Sequence, residues 1–262
     1  MKTSSEELER ELTFTRFDRM SELYPERPAV VYLGTVFSYS RLKELSERFA
    51  GGLRSLGVEK GDRVMVYTAN CIQWLISFLA IQRLGAVIVP VSPIYTSFEI
   101  DYMIRDAGVE TVICQDTNFC YVQEVFGSTG LKRAIVTNLV DLIPGWKRLL
   151  GLLFDRVPRG KVVEDQRVYH FKSLVRHDPA ESYPEIDPYK DLAYILYTGG
   201  TTGFPKGVPG NHIGMTSYVN DVTDDVAGDR LKEGSDVYLA VNPLFHIMAL
   251  GLCMAVGLNK GN

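Results

Sequence analysis

The stretch "AVIVPV", residues 86–91, restricts the fold of this chain more than any other feature. It is an almost unbroken apolar run rich in β-branched residues, which is typical of a strand buried on both faces of a sheet. Similar strands are predicted at Val64–Thr68 and in "ETVICQ", residues 110–115. Helices that alternate with buried strands predict parallel βαβ units and an α/β fold. The helices predicted beside these strands are 40–57, 70–85 and 97–108.

Local signals indicate where several elements begin and end. Two short strands, Ala29–Leu33 and Val36–Ser38, are joined by a tight turn. Ser40 is the predicted N-cap of the first long helix, and Asn70 with Gln73 forms a predicted capping box for the second. The later predicted elements are a strand in "DLAYILYT" (191–198), a helix at 212–220 and a strand in "VYLAVN" (237–242).

Composition excludes several classes of function. The net charge is −4 and no dense run of Lys and Arg occurs, so nucleic acid is not an expected partner. The polar N-terminus does not have the pattern of a signal peptide, and the longest apolar stretch, 244–258, is shorter than the ~20 residues of a membrane span. We therefore expect a cytoplasmic protein with reduced structural thiols and no metal-ligand spacing. The four cysteines are Cys71, Cys114, Cys120 and Cys253.

The segment 139–185 departs from the strand–helix rhythm and contains an amphipathic helix, with Lys147, Arg148 and Asp155 off its apolar face. The interpretation we favour is a surface helix that packs this face on its own domain. The alternative is a helix that touches a membrane surface or a lipid-laden partner. The residues of the apolar face are Trp146, Leu149, Leu150, Leu153 and Phe154.

A Gly/Thr-rich loop in "YTGGTTGFPKGV", residues 197–208, follows the predicted strand at 191–198. Glycines allow backbone N–H groups to turn inward, hydroxyls add donors, and a lysine offsets negative charge, so the loop is predicted to hold a polyphosphate. A Walker A loop is excluded because Pro205 precedes the lysine and Gly207 follows it. The predicted phosphate-binding residues are Thr198, Gly199, Gly200, Thr201, Thr202, Gly203 and Lys206.

This loop resembles the phosphate-binding motif of the adenylate-forming superfamily, which includes acyl-CoA synthetases, luciferases and peptide adenylation domains. The usual form is Tyr-Thr-Ser-Gly-Thr-Thr-Gly-x-Pro-Lys-Gly-Val, so Gly199 stands where serine is usual and one hydroxyl donor is missing. Further resemblances lie in "FSYSRLKELSERFAGGLRSLGVEKGDRV", "RLGAVIVPVSPIYTSFEIDYMIRDAGVETVI" and "VNPLFHIMALG". Together they span roughly residues 14 to 258 and are similar to the N-terminal portion of a fatty acyl-CoA synthetase.

The resemblance implies a two-step ligase reaction. A carboxylate attacks the α-phosphate of ATP to form an acyl-adenylate, and a thiol, commonly that of coenzyme A, then displaces AMP. Mg²⁺ is implied through ATP, with the hydroxyl of Thr202 as its one candidate contact, and no catalytic residue is assigned in this chain. Phe245 and His246, from "PLFH", correspond to positions that line the acyl pocket.

The implied substrate is a medium- or long-chain fatty acid, because the segment around "WKRLLGLLFDRV" resembles an insertion of fatty acyl-CoA synthetases. An aryl or short-chain acid is the second alternative and an amino acid the third.

The family's later motifs do not occur in these residues, namely Tyr-Gly-x-Thr-Glu, the Thr-Gly-Asp aspartate and the C-terminal domain with its catalytic lysine. We expect two β-sheet/α-helix subdomains. Residues 61–221 form one of them and carry the loop. Residues 1–60 begin the other, and residues 222–262 return to it and leave it incomplete. Unpaired sheet edges would favour a homodimer. Little adenylation activity is expected from these residues alone. The alternative to an enzyme is a non-catalytic nucleotide- or acyl-binding module, or half of a split enzyme.

Overall fold

A seven-stranded sheet organises the molecule, whose computed structural model describes residues 11–154, 156–199, 204–221, 237–251 and 258. The strand order is β7-β6-β5-β3-β4-β8-β9, with neighbouring strands parallel except for β9, which is antiparallel to β8. A separate antiparallel hairpin is formed by β1 and β2. The strands are β1 Pro28–Tyr32, β2 Thr35–Ser38, β3 Arg63–Tyr67, β4 Val87–Pro90, β5 Thr111–Gln115, β6 Arg133–Thr137, β7 Val168–His170, β8 Leu192–Thr198 and β9 Lys206–Asn211.

Helices cover both faces of this sheet, as parallel strands require. In the described residues they are α1 Thr13–Leu23, α2 Tyr39–Ser55, α3 Ile72–Arg83, α4 Ser97–Ala107, α5 Phe119–Val125, α6 Gly145–Leu153, α7 Phe171–Leu174, α8 His212–Asp221 and α9 Ile247–Ala249. A short 3₁₀ turn, Asp116–Asn118, precedes α5. The α/β fold predicted from the sequence is confirmed.

The core has two halves, one on each side of the sheet. Alternate residues of β4 enter opposite halves: Ile88 belongs to the half that contains Phe49 and Trp74, and Val89 to the half that contains Ile104. All five side chains are at most 1% exposed. Truncating a core aromatic such as Trp74 to alanine typically costs about 3–5 kcal/mol. Residues on both sides of position 60 share the first half, while the division into subdomains at 60 and 221 stays a prediction.

Both predicted helix caps are wrong. The N-cap of α2 is Ser38, which ends β2 in an extended conformation and accepts a hydrogen bond from the backbone N–H of Arg41 at 3.2 Å. Ser40 lies inside the first turn of the helix, where its hydroxyl is 3.0 Å from that of Ser38. Helix α3 begins after Cys71 without a side-chain cap, because the amide of Asn70 bonds a distant segment instead.

Two strand predictions also fail. Strand β9 was not predicted, because Gly207, Pro209 and Gly210 have low strand propensity. It is the last strand of the described sheet, so the missing N–H of Pro209 leaves no further strand without a donor. Residues 237–242 do not form the predicted strand, and Val237 is 94% exposed. In the described part of the chain no neighbouring strand pairs with this segment.

Within the described ranges, no helix has the length and apolar character to cross a bilayer. The same residues contain no cluster of three His, Cys, Asp or Glu side chains that could bind a metal ion. Cys71, Cys114 and Cys120 are free thiols, the first two buried, and Cys253 lies outside the described residues.

Candidate phosphate-binding site

The Gly/Thr loop connects two antiparallel strands and is closed at its base by the pairing of Thr198 with Lys206. The Thr198 hydroxyl is 3.5 Å from the Lys206 carbonyl oxygen. Thr198, Gly199 and Lys206 are all exposed, so the lysine ammonium lies where a solvent-borne anion can reach it. The other four predicted phosphate-binding residues lie outside the described residues; they are Gly200, Thr201, Thr202 and Gly203.

The loop follows the carboxyl end of β8, which is parallel to β4 and, through β4, to β3. In open α/β sheets ligands bind outside the carboxyl ends of the strands. The loop is therefore at the edge of the sheet where a ligand is expected.

Helix α4 fixes the strand that leads into the loop. The hydroxyl of Tyr197 donates to the Asp106 carboxylate at 2.7 Å and is 3.3 Å from the Met103 carbonyl oxygen. Burial, and then the neighbouring carboxylate, raises the pKa of Tyr197, so this hydroxyl stays a neutral donor. A Cβ at Gly207 would lie 3.3 Å from the tyrosine ring and 3.1 Å from Ile195. A larger residue opposite Tyr197 would therefore crowd the ring.

The same helix holds the far end of the loop. The ring of Phe204 stacks on Tyr102 at a centroid distance of 4.6 Å and lies 5.8 Å from the ring of Phe98. Aromatic pairs of this kind contribute about 0.5–1.5 kcal/mol beyond their buried area. Sequence reasoning missed this contact because Phe204 occupies the motif's variable position. The available signal was the aromatic pair Phe98 and Tyr102, four residues apart on one helix face.

Gly199 does not use the conformational freedom of glycine. Its φ is not in the left-handed region, and a Cβ built there would meet no atom of the described residues within 4 Å. Among these residues a serine would fit at the position.

Asn70 fixes the segment that carries the predicted acyl-pocket residues. Its Nδ2 donates to the carbonyl oxygens of Asn242 at 2.8 Å and Ala240 at 3.3 Å, and its Oδ1 accepts from the backbone N–H of Leu244 at 2.9 Å. The buried side chain of Leu244 anchors the segment further. Because Asn70 follows β3 closely, this clamp lies at the same edge of the sheet as the loop.

The next two residues of that segment are Phe245 and His246, whose ring centroids are 4.6 Å apart. His246 is exposed and begins the short helix α9. The phosphate loop directly follows β8, and the acyl-pocket pair belongs to a segment that Asn70, just after β3, holds at the same edge of the sheet.

Comparison with known proteins identifies the family of the chain. The family described as AMP-binding enzyme matches residues 17–262. The chain belongs to the AMP-binding enzyme family.

Relatives within and beyond bacteria match most of the chain. A long-chain-fatty-acid–CoA ligase of Bacillus subtilis is 30% identical over 91% of this chain and 43% of that ligase. 4-Coumarate-CoA ligase 1 of Narcissus pseudonarcissus is 32% identical over 91% of this chain and 40% of that enzyme. The chain therefore spans less than half the length of these relatives.

A solved structure shares the fold. The long-chain-fatty-acid-CoA ligase of Archaeoglobus fulgidus superposes with a TM-score of 0.76, at 22% identity, over 97% of this chain and 46% of that one. The resemblance to the N-terminal portion of such ligases is confirmed, and so is membership in an AMP-forming acyl-CoA ligase family.

Proposed function

We propose that this chain forms the ATP-phosphate-binding and acid-binding part of an AMP-forming CoA ligase for a medium- or long-chain fatty acid. The observation that carries the proposal is the Gly/Thr loop, whose two ends are braced on helix α4 and whose base carries Lys206. Fixing both ends of a loop reduces the conformational freedom that is lost when an anion binds.

The donor set fits a polyphosphate. Lys206 supplies a cation and Thr198 a hydroxyl, and no cluster of carboxylates in the described residues competes for the same place. We assign to Lys206, Thr198 and Gly199, with Gly200, Thr201, Thr202 and Gly203, the β- and γ-phosphates of ATP. ATP supplies the leaving pyrophosphate, Mg²⁺ accompanies it with Thr202 as its candidate contact, and coenzyme A is the proposed acyl acceptor.

The task of these residues is to stabilise charge. As the acid attacks the α-phosphate, negative charge develops on the departing pyrophosphate, and fixed donors with a nearby ammonium lower the energy of that state. Lys206 carries the largest share because it is the cation at the loop's base. Phe245 and His246 are proposed to line the place where the acid's carboxylate enters.

A fatty acid is the proposed substrate because the resemblance at 146–157 is to fatty acyl-CoA synthetases, and fatty-acid ligases occur among the relatives. The similarity to a coumarate ligase keeps an aryl acid as the competing substrate class.

Non-hydrolysable acyl-adenylate analogues test the substrate class. We expect dodecanoyl sulfamoyl-adenosine to raise the melting temperature of the chain more than coumaroyl or aminoacyl analogues do. The analogues carry no pyrophosphate and differ only in their acyl group, so differences in their binding report the preference for the acid. Tighter binding of the coumaroyl analogue would contradict the fatty-acid proposal. It would not contradict the assignment of the Gly/Thr loop to the phosphates.

Catalysis by these 262 residues alone is expected to be slight, because the Tyr-Gly-x-Thr-Glu and Thr-Gly-Asp motifs do not occur in them. ATP–pyrophosphate exchange with a series of fatty acids measures this directly, and robust exchange would contradict it. The alternatives, a non-catalytic nucleotide- or acyl-binding module and half of a split enzyme, predict binding without exchange. A cytoplasmic location and a homodimer stay predictions.

A further inference from the structure

Helix α6 is inverted relative to an ordinary surface helix. Its apolar side chains face outward: Trp146 is 63% exposed, Leu149 65%, Leu153 73% and, just past the helix end, Phe154 67%. The expectation that this face packs on the chain's own domain is therefore wrong. A packed surface helix would turn these residues towards the core.

The polar side of the helix is what attaches it to the protein. The ammonium of Lys147 donates to the carbonyl oxygen of Gly34 at 2.6 Å and lies 3.4 Å from the hydroxyl of Thr35. Arg148 lies 3.9 Å from the Asp141 carboxylate. These contacts hold the helix with its cations inward, so the outward apolar face is fixed in the fold.

The hairpin turn that Lys147 binds is apolar as well. Leu33 is 54% exposed at this turn and has a φ of 47°, a conformation that L-residues other than asparagine and aspartate seldom adopt. Such strain tends to be kept where it has a use. The Lys147 ammonium is 3.4 Å from the Leu33 carbonyl oxygen, so the strained leucine adjoins the start of the helix.

Two arginines follow the helix in the sequence, after Asp155. Arg156 and Arg159 line an open depression of about 360 Å³ together with Val157 and Pro158. Val157 is buried against α6, where its Cγ2 would be 2.8 Å from a Cβ at Gly151. The basic depression is thus attached to the apolar helix.

We propose that this surface docks on an anionic lipid bilayer. We define the helix–hairpin surface as Trp146, Leu149, Leu150, Leu153, Phe154 and Leu33. Its apolar side chains would enter the boundary between headgroups and acyl chains, with Trp146 at headgroup level, while Arg156 and Arg159 contact lipid phosphates. This docking does not depend on the phosphate loop.

Charge is the reason for choosing a bilayer over a second copy of the chain. A second copy joined through the same face would present only the same apolar and basic residues, whereas an anionic bilayer supplies the opposite charge. A nine-residue helix buries little area, so the binding is expected to be reversible and sensitive to salt.

Tryptophan fluorescence gives a direct measurement. The chain has two tryptophans, of which Trp74 is fully buried, so a change in emission reports Trp146. We expect vesicles of phosphatidylcholine with added phosphatidylglycerol to shift the emission to the blue and to carry the chain with them on flotation. Phosphatidylcholine alone, or high salt, should weaken both effects.

A paired substitution tests the surface. Leu149→Ser with Leu153→Ser should reduce partitioning at least tenfold, whereas Ile94→Ser, at a site 83% exposed outside the surface, should leave it unchanged. The melting temperature of each variant shows whether it is folded. Equal partitioning of the paired variant would overturn the proposal, and so would a folded wild-type chain that ignores anionic vesicles. Self-association lost in the paired variant, without vesicle binding, would identify a second copy as the occupant instead.

Discussion

Replacing Phe204 by alanine tests whether the aromatic stack on helix α4 prepares the loop for its ligand. The substitution removes a stacked contact with Tyr102 at 4.6 Å and a tilted one with Phe98 at 5.8 Å. At about 0.5–1.5 kcal/mol for each pair, with the longer contact at the low end, the loss is about 1–2 kcal/mol. The stack holds one end of the loop in the unliganded chain, so this loss is also the largest expected penalty on binding. It corresponds to about a 5- to 30-fold weaker affinity for Mg·ATP.

Calorimetric titration of the chain with Mg·ATP measures this loss. Because the same contacts are present in the unliganded chain, the melting temperature without ligand should fall by a few degrees. Phe98→Ala is the matched control, since it removes only the tilted contact and should cost affinity about twofold. Phe204→Trp keeps an aromatic ring and should keep most of the affinity. Unchanged affinity in Phe204→Ala would refute the argument that the stack positions the loop.

Three further predictions concern neighbouring residues. Gly199→Ser should leave the fold intact and strengthen Mg·ATP binding, because its Cβ meets no atom of the described residues and its hydroxyl adds a donor; weaker binding by calorimetry would contradict this. Asn70→Ala removes three hydrogen bonds, so hydrogen exchange at the Leu244 amide should accelerate at least tenfold, and unchanged protection would show that the clamp is not needed. His212 is 2% exposed and burial lowers its pKa to about 4. Between about pH 6.5 and 4, His212 is protonated in the unfolded chain but neutral in the folded chain. The free energy of unfolding should therefore fall by up to about 3 kcal/mol from about pH 6.5 to 4. Urea titrations of His212→Phe should show a smaller fall, and an equal one would exclude His212 as the cause.

The sequence was sufficient for the buried strands and for the place of the loop, although not for the helix caps. The unbroken apolar run at 86–91 predicts a doubly buried strand, and Ile88 and Val89 do pack into opposite halves of the core. The succession of Gly and Thr before Lys206 likewise predicts an anion loop. That loop lies at the expected edge of the sheet, although its role is still a proposal.

Contacts between distant parts of the chain could not be predicted in this way. Asn70 has the spacing of a helix cap, yet its amide bonds Asn242, 172 residues away, because the fold brings that carbonyl oxygen within reach. The apolar residues of α6 have helical spacing whichever way the helix faces. Contacts with distant residues, such as that of Lys147 with the hairpin, determine that they point outward.

The most direct test of the central claim is a thermal melt of the chain with and without millimolar Mg·ATP, repeated on Lys206→Ala. A ligand that binds only the folded state at 100 times its Kd adds about 2.7 kcal/mol to the free energy of unfolding. Lys190→Ala is the matched control, since Lys190 is 85% exposed and outside the loop. A shift present in the wild type and in Lys190→Ala but lost in Lys206→Ala is the predicted result. An equal shift in all three proteins would contradict the assignment of the Gly/Thr loop as the phosphate site.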